Sequence, residues 1–127
     1  MFELSIRDSF GAAHRIVGYP GKCDNLHGHN WIVEVVVYGN KLDKLGMLVD
    51  FKKLKKALRE VIDCLDHHYL NELEPFAAVN PSAENISAYI YHSLAINEMI
   101  KDKCRVKFVK VWETEKSAAT YYGEMAK

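Results

Sequence analysis

The sequence predicts an α+β fold in which two helices cover one face of a four-stranded antiparallel sheet. Apolar residues near both ends of the chain recur at the two-residue period of strands, whereas two central segments follow the helical period. The predicted order is strand, strand, helix, helix, strand, strand. The length of 127 residues suits one domain, which we expect to span residues 1–127.

Two strands are predicted in the first part of the chain. Polar and apolar residues alternate over residues 2–7, and we expect this strand to continue through a bulge at Gly11 to Ile16. The following segment, 18–25, is rich in turn-forming residues and predicts a loop. The β-branched and aromatic residues of 31–38 predict the second strand.

Two helices are predicted in the middle of the chain. Asp50 is a candidate N-cap for the first helix, whose apolar residues recur at helical spacing over 54–65. The second helix begins near Pro81, with either Asn80 or Ser82 as its N-cap. Each apolar stripe predicts one helix face that packs against the sheet.

The last two predicted strands leave one face of the sheet without a cover. Segments 105–113 and 119–122 are predicted as strands because they are rich in β-branched and aromatic residues. Two helices cover only one face of the sheet that the four strands would form. We therefore expect other copies of the chain to cover the second face.

Composition and charge exclude several classes of protein. Lys and Arg number 17, as do Asp and Glu, and a net charge of zero does not favour a nucleic-acid partner. No apolar run approaches the roughly 20 residues that span a bilayer, and no secretory signal is visible. Three widely spaced cysteines argue against a disulfide framework. We expect a cytoplasmic protein without nucleic-acid or membrane partners.

Three histidines are candidate ligands of a zinc ion. In the sequence His27-Gly28-His29, both imidazoles lie on one face if this segment enters the second strand. His14 ends the first strand, and a neighbouring strand would bring it alongside. Three imidazoles would leave the fourth position of zinc open, as in catalytic sites. The alternative is that His27 and His29 are polar surface residues.

Three further residues are candidates for proton transfer. Cys23 lies four residues before His27, and a nearby metal ion would favour its thiolate as a base or nucleophile. Alternatively, Cys23 is a fourth ligand that closes a structural zinc site. Asp66 and His67, at the end of the first helix, form a candidate acid/base pair because a carboxylate can fix the tautomer of an imidazole.

Two glutamates are candidates for the binding of substrate. Glu113 ends a strand of apolar and basic residues, where its carboxylate can accept two hydrogen bonds from a guanidine-like edge. Glu84 lies in the first turn of the second helix, where a negative charge also complements the helix dipole.

Together these motifs resemble the 6-pyruvoyl-tetrahydropterin synthase/QueD family, and most closely its QueD branch. The likeness extends from residue 10 to residue 123. Its motifs are FGAAHR (10–15), CDNLHGH (23–29), LVDF (48–51), LDHHYLN (65–71), NPSAEN (80–85), WET (112–114) and YYG (121–123).

The resemblance implies a role for each candidate residue. It implies zinc binding by His14, His27 and His29, catalysis by Cys23, Asp66 and His67, and substrate binding by Glu113, Ser82 and Glu84. Glu113 matches the glutamate that anchors the pterin ring. Ser82 stands where the family has threonine and keeps the hydroxyl group.

The resemblance also implies an assembly. In the tunnelling fold (T-fold), the sheets of three subunits join into a barrel, and two such rings stack into a homohexamer. Active sites then lie between subunits, so that Cys23 and the Asp66/His67 pair come from different chains.

The implied reaction converts 7,8-dihydroneopterin triphosphate into 6-carboxy-5,6,7,8-tetrahydropterin, acetaldehyde and triphosphate, in the biosynthesis of queuosine and other deazapurines. One alternative stops at 6-pyruvoyl-tetrahydropterin, although the three residues between Cys23 and His27 favour the carboxy product. A second alternative is an aldolase-like cleavage of dihydroneopterin, which the presence of Cys23 disfavours. The third is a structural-zinc or pterin-binding module without turnover.

Overall fold

The computed structural model describes residues 1–20 and 26–123, and its strands and helices follow the predicted order with one addition. The strands are β1 (Phe2–His14), β2 (His27–Gly39), β3 (His68–Tyr69), β4 (Arg105–Thr114) and β5 (Ser117–Tyr121). The α-helices are α1 (Phe51–Asp63) and α2 (Ala83–Ala95), and two single-turn 3₁₀ helices, Leu70–Glu72 and Glu74–Phe76, lie between them. The predicted α+β class is confirmed.

The sheet has the strand order β3-β1-β2-β4-β5. Strands β1 and β2 pair antiparallel in an unbroken register that begins with Phe2 opposite Gly39 and ends with His14 opposite His27. The expected bulge at Gly11 is wrong, because Gly11 pairs in register with Asn30. Its N–H and C=O groups instead bond to the segment after α1.

The prediction of four strands, all antiparallel, is corrected by β3. This strand pairs parallel to β1, with His68 opposite Ala12 and Tyr69 opposite Ala13. Two residues are too few to show the two-residue period of a strand. The sequence instead predicts that the segment 65–71 ends the first helix. The helix α1 ends at Asp63, which frees this segment to follow the edge of β1.

The helix starts depend on side-chain caps. The Asp50 carboxylate accepts a hydrogen bond from the Lys52 N–H group at 2.8 Å, which confirms the predicted cap of α1. Of the two alternatives for α2, Ser82 is the cap, and its hydroxyl accepts from the Asn85 N–H group at 3.1 Å. The side chain of Asn80 instead exchanges two hydrogen bonds with the backbone of Val17.

The core lies between the helices and one face of the sheet. Helix α1 packs against β1, and α2 packs against β4 and β5. Alternate strand residues and the apolar helix faces form one buried cluster, because the two-residue period sends every second side chain inward. The cluster includes Ile6, Phe10, Trp31, Val33, Val35, Leu58, Ile62, Ile90, Val109 and Val111.

The opposite face of the sheet carries charged and aromatic side chains. Arg7 contacts Glu34 at 3.4 Å, and the guanidinium of Arg7 also lies 4.9 Å from the ring centre of Trp112. The ammonium group of Lys110 lies 4.7 Å from the same ring. Among the helices of the described residues, none is long and apolar enough to cross a membrane.

Candidate metal centre and active site

Four side chains meet at one end of the core-facing side of the sheet. His14 ends β1 directly opposite His27, and His29 lies two residues further along β2, so all three imidazoles share a face. Glu113 lies near the end of β4, at an irregularity in the β4–β5 pairing, and its carboxylate comes close to the three imidazoles. We call His14, His27, His29 and Glu113 the histidine–glutamate cluster.

The distances within this cluster fit a metal ion. The Nε2 atoms of His14 and His27 are 3.1 Å apart, and one potential ligand atom from each of the four residues lies within 4.8 Å of the others. Ligands about 2.0–2.1 Å from a tetrahedral metal lie roughly 3.3–3.4 Å from one another. The four residues are therefore close enough together to hold one metal ion after small side-chain shifts.

His14 is oriented for metal binding by the start of α2. Its Nδ1 atom lies 2.7 Å from the carbonyl oxygen of Pro81, which can only accept, so Nδ1 carries the hydrogen and Nε2 keeps its lone pair. The side chain is 1% exposed. Burial lowers the pKa of His14, against the opposing effect of the Pro81 carbonyl, and this favours the neutral ring that binds metals.

His29 provides a second indication of a metal site. Its Nε2 atom is buried and has no hydrogen-bond partner among the described residues. Burial also lowers the pKa of His29. A buried nitrogen without a partner is rare in folded proteins, and an ion that the atom would bind is one explanation. Trp31 forms the floor beside it, with its ring centre 5.2 Å from that of His29 and 4.9 Å from that of His14.

The donor set therefore suits a divalent metal ion. Imidazole and carboxylate ligands occur in zinc sites and in sites of other transition metals. The structure brings the three predicted ligands together, and it places Glu113 beside them rather than in a separate pocket. Cys23 lies outside the described residues.

Asp66 is held in one place by backbone and side-chain donors. Its Oδ1 atom accepts from the Gly11 N–H group at 2.9 Å, and its Oδ2 atom accepts from Arg59 at 3.2 Å. The hydrogen bond from Gly11 lowers the pKa of Asp66, and the charges of His67 and Arg59 lower it further. The carboxylate is therefore ionised at neutral pH.

His67 adjoins this carboxylate in an unusual backbone conformation. Its Nε2 atom lies 3.6 Å from Asp66 Oδ2, and its side chain is 88% exposed. The φ angle of 60° lies in the left-handed region, which few non-glycine residues adopt. A hydrogen bond of 2.6 Å from the His67 N–H group to the Gly11 carbonyl fixes it there.

The Asp66/His67 pair lies at the edge of β1, where it bonds to the backbone of Gly11. The cleft beside His67 is lined by residues of β1 and β2, among them Ala13, Gly28 and His29. One residue of the histidine–glutamate cluster, His29, therefore borders the same cleft as His67.

The remaining candidates lie at the start of α2. Ser82 caps this helix, and Glu84 is exposed in its first turn. Sequence reasoning missed Arg59, although its spacing of four and seven residues from Asp63 and Asp66 is that of one helix face. It also missed Pro81, because a contact made by a backbone carbonyl has no side-chain signal.

Together, the order of elements, the sheet and the two helices on one face define a T-fold protein with a candidate metal centre. A family model described as 6-pyruvoyl tetrahydropterin synthase matches residues 3–124. The chain belongs to the 6-pyruvoyl tetrahydropterin synthase family.

Individual relatives agree with this assignment. The 6-carboxy-5,6,7,8-tetrahydropterin synthase of Rickettsia typhi is 31% identical over 132 positions, which cover 91% of this chain and 96% of that protein. The 6-pyruvoyl tetrahydrobiopterin synthase of Dictyostelium discoideum is 31% identical, with 95% and 96% covered. The 6-pyruvoyl tetrahydropterin synthase structure from Caenorhabditis elegans has a TM-score of 0.85 at 31% identity, with 97% and 96% covered. The prediction of a lyase of this family is confirmed.

Proposed function

We propose that the chain forms one domain and is a zinc-dependent enzyme that converts 7,8-dihydroneopterin triphosphate into 6-carboxy-5,6,7,8-tetrahydropterin, acetaldehyde and triphosphate. The observation that carries the proposal is that potential ligand atoms of His14, His27 and His29 lie within 4.8 Å of one another. The name of the Rickettsia typhi relative supports the choice of product.

Each group has a distinct task in the proposed mechanism. His14, His27 and His29 would hold zinc, which would supply Lewis-acid stabilisation of charge on the substrate side chain. The carboxylate of Glu113 accepts hydrogen bonds from the amino and ring N–H groups of the pterin. The thiolate of Cys23 removes a proton from the side chain of the substrate.

The Asp66/His67 pair supplies the complementary proton transfers. The ionised Asp66 does not take up the proton itself, because the Gly11 N–H group and Arg59 already stabilise its charge. It therefore orients His67, whose imidazole gives and receives the proton. We propose that a second subunit completes the site within a homohexamer of two trimeric rings, which is supported by the face of the sheet that neither α1 nor α2 covers.

The test is product analysis with zinc-loaded protein and 7,8-dihydroneopterin triphosphate. We expect mass spectrometry to detect 6-carboxytetrahydropterin, with acetaldehyde measured in a separate assay. The absence of turnover by a zinc-replete, assembled sample would overturn the proposal in favour of a binding or structural role.

A second candidate function stops before the carbon–carbon bond breaks. The Dictyostelium discoideum relative named 6-pyruvoyl tetrahydrobiopterin synthase matches at the same 31% identity, which favours 6-pyruvoyl-tetrahydropterin as the alternative product. Formation of 6-pyruvoyl-tetrahydropterin without acetaldehyde would favour this second candidate function.

The role of Cys23 is tested separately. We expect Cys23→Ala to keep its zinc and to lose turnover, because a base is removed but the three imidazoles remain. Loss of zinc from this variant, measured by elemental analysis, would make Cys23 a ligand instead.

A further inference from the structure

Two asparagine side chains hold the backbone that follows β1. We propose that Asn71 and Asn80 are positioning residues for the proposed reaction. They bind the backbone of residues 15–17, which we call the stem and which begins the connection from His14 to Cys23. The inference deepens the proposed function and rests on it, because His14 is a metal ligand there and Cys23 is the base.

Asn71 continues the edge pairing of β1 with its side chain. The strand β3 pairs with β1 only as far as Tyr69 opposite Ala13, and the backbone then turns into the 3₁₀ helix Leu70–Glu72. Beyond this point, Asn71 Oδ1 accepts from the Arg15 N–H group at 2.9 Å, and Nδ2 donates to the Arg15 carbonyl at 2.8 Å. A carboxamide carries the same donor and acceptor as a peptide group, so the side chain takes the place of a strand.

Asn80 binds the stem two residues further on in the same way. Its Oδ1 atom accepts from the Val17 N–H group at 2.9 Å, and its Nδ2 atom donates to the Val17 carbonyl at 3.1 Å. Val17 stands in a turn in which the Tyr19 N–H group donates to the Ile16 carbonyl at 3.4 Å and Gly18 has a φ angle of 87°. Asn80 therefore fixes the point at which the chain turns away from β1.

Asn80 is itself fixed by the start of α2. The Nδ2 atom of Asn85, in the first turn of this helix, donates to the Asn80 carbonyl at 2.8 Å. The next residue, Pro81, accepts from the Nδ1–H group of His14 at 2.7 Å. Two consecutive residues thus hold the side chain of His14 and the backbone of Val17, so the metal ligand and the stem have one common support.

The exposure of the stem separates its positioning from protein stability. Arg15 and Val17 are both exposed. Water can therefore replace an asparagine side chain as the partner of their backbone groups at little cost in stability. Water does not fix where those groups lie, however. We therefore expect the loss of either asparagine to lower turnover much more than it lowers stability.

The first test measures backbone hydrogen exchange by NMR in the assembled protein, and it does not depend on activity. We expect the N–H groups of Arg15 and Val17 to exchange at least about tenfold more slowly than in an unstructured peptide. Asn71→Ala should remove the protection of Arg15 and keep that of Val17. Asn80→Ala should have the opposite effect.

The second test measures turnover of 7,8-dihydroneopterin triphosphate by zinc-loaded variants. We expect Asn71→Ala and Asn80→Ala each to lower kcat at least about tenfold, with Zn²⁺ content kept and KM changed less than about threefold. Asn80→Asp keeps the acceptor for the Val17 N–H group but loses the donor, so its kcat should lie between those of Asn80→Ala and the unsubstituted protein. Asn40→Ala is the matched control, because Asn40 is exposed at the other end of the β1–β2 hairpin.

Three results would contradict the inference in different ways. Fast exchange of both N–H groups in the unsubstituted protein would show that the asparagines do not hold the stem. Protected N–H groups with an unchanged kcat in both alanine variants would make the two asparagines structural only, and the proposed function would stand. If the unsubstituted protein has no turnover although both N–H groups are protected, the proposed function fails and the positioning role fails with it.

Discussion

Trp31 is the residue that separates the histidine–glutamate cluster from the apolar core. Its indole N–H group donates to the carbonyl of Ala12 at 3.1 Å, and its ring contacts the imidazoles of His14 and His29. The same side chain therefore fills the core and supports two of the proposed metal ligands.

We expect Trp31→Phe to lower the free energy of unfolding by about 1–3 kcal/mol, because the buried Ala12 carbonyl loses its partner. Urea denaturation measures this loss. The control is Trp112→Phe on the opposite face, which keeps a ring for Arg7 and Lys110 to stack on. Equal losses of unfolding free energy in the two variants would show that the indole hydrogen bond does not contribute to stability.

Asp66 makes stability depend on acid pH. The hydrogen bond from Gly11 lowers the pKa of Asp66 in the folded protein, so the folded state binds fewer protons than the unfolded state as the pH falls. The stabilisation is complete above the unfolded pKa of about 3.9 and is lost as the pH drops below it.

We therefore expect Asp66→Asn to be less stable than the unsubstituted protein at neutral pH, with a difference that narrows toward about pH 4 and below. Unfolding in urea at several pH values measures the difference. Asp63→Asn is the control, because Asp63 bonds to the same guanidinium but accepts no hydrogen bond from a backbone N–H group within the described residues. A difference that stays constant with pH would contradict the assigned role of the Asp66 charge.

At the scale of the element, the start of α2 connects helix stability to the histidine–glutamate cluster. The Ser82 hydroxyl caps the helix, and the carbonyl of the preceding residue, Pro81, holds the ring of His14. A frayed first turn would release both contacts.

We expect Ser82→Ala to lower the free energy of unfolding by about 1 kcal/mol and to weaken Zn²⁺ binding, while Ser82→Asn keeps most of both. Thermal unfolding and chelator competition measure the two effects. A Ser82→Ala variant that is fully stable but binds substrate poorly would instead make Ser82 a substrate contact.

The elements that carry a periodic sequence pattern were predicted. Those whose position depends on contacts with distant parts of the chain were missed. Asp50 and the alternation in β1 and β2 are local signals, and both predictions are confirmed. The strand β3 has two residues and no period, and its place depends on the backbone groups of Gly11.

The same distinction applies to the candidate site. The spacing of His27 and His29 predicts a shared face, which the register of the hairpin produces. The position of Glu113 beside them coincides with an irregularity in the β4–β5 pairing between Trp112 and Thr114, which no sequence pattern shows.

At the scale of the whole molecule, the proposed active site needs two chains. We propose that the histidine–glutamate cluster comes from one chain and the Asp66/His67 pair from another. Because His29 and His67 also border one cleft of a single chain, the mixing of inactive variants decides between one chain and two.

We expect His29→Ala and His67→Ala to be inactive alone and to recover activity when their subunits are mixed. Random mixing in equal amounts places intact groups from both chains in about a quarter of the sites. The measurement is turnover after denaturation and refolding together, with native mass spectrometry to confirm mixed assemblies. Mixed assemblies without activity would place both groups in one chain.

The β1–β2 hairpin also has a consequence for how a newly made chain acquires its metal. All three histidines lie between residues 14 and 29, and strand pairing alone brings them together. The three histidines therefore precede both helices in the chain, whereas Glu113 follows both. Because an isolated hairpin is marginally stable in water, we expect the triad to hold its geometry only after the helices have packed against the sheet.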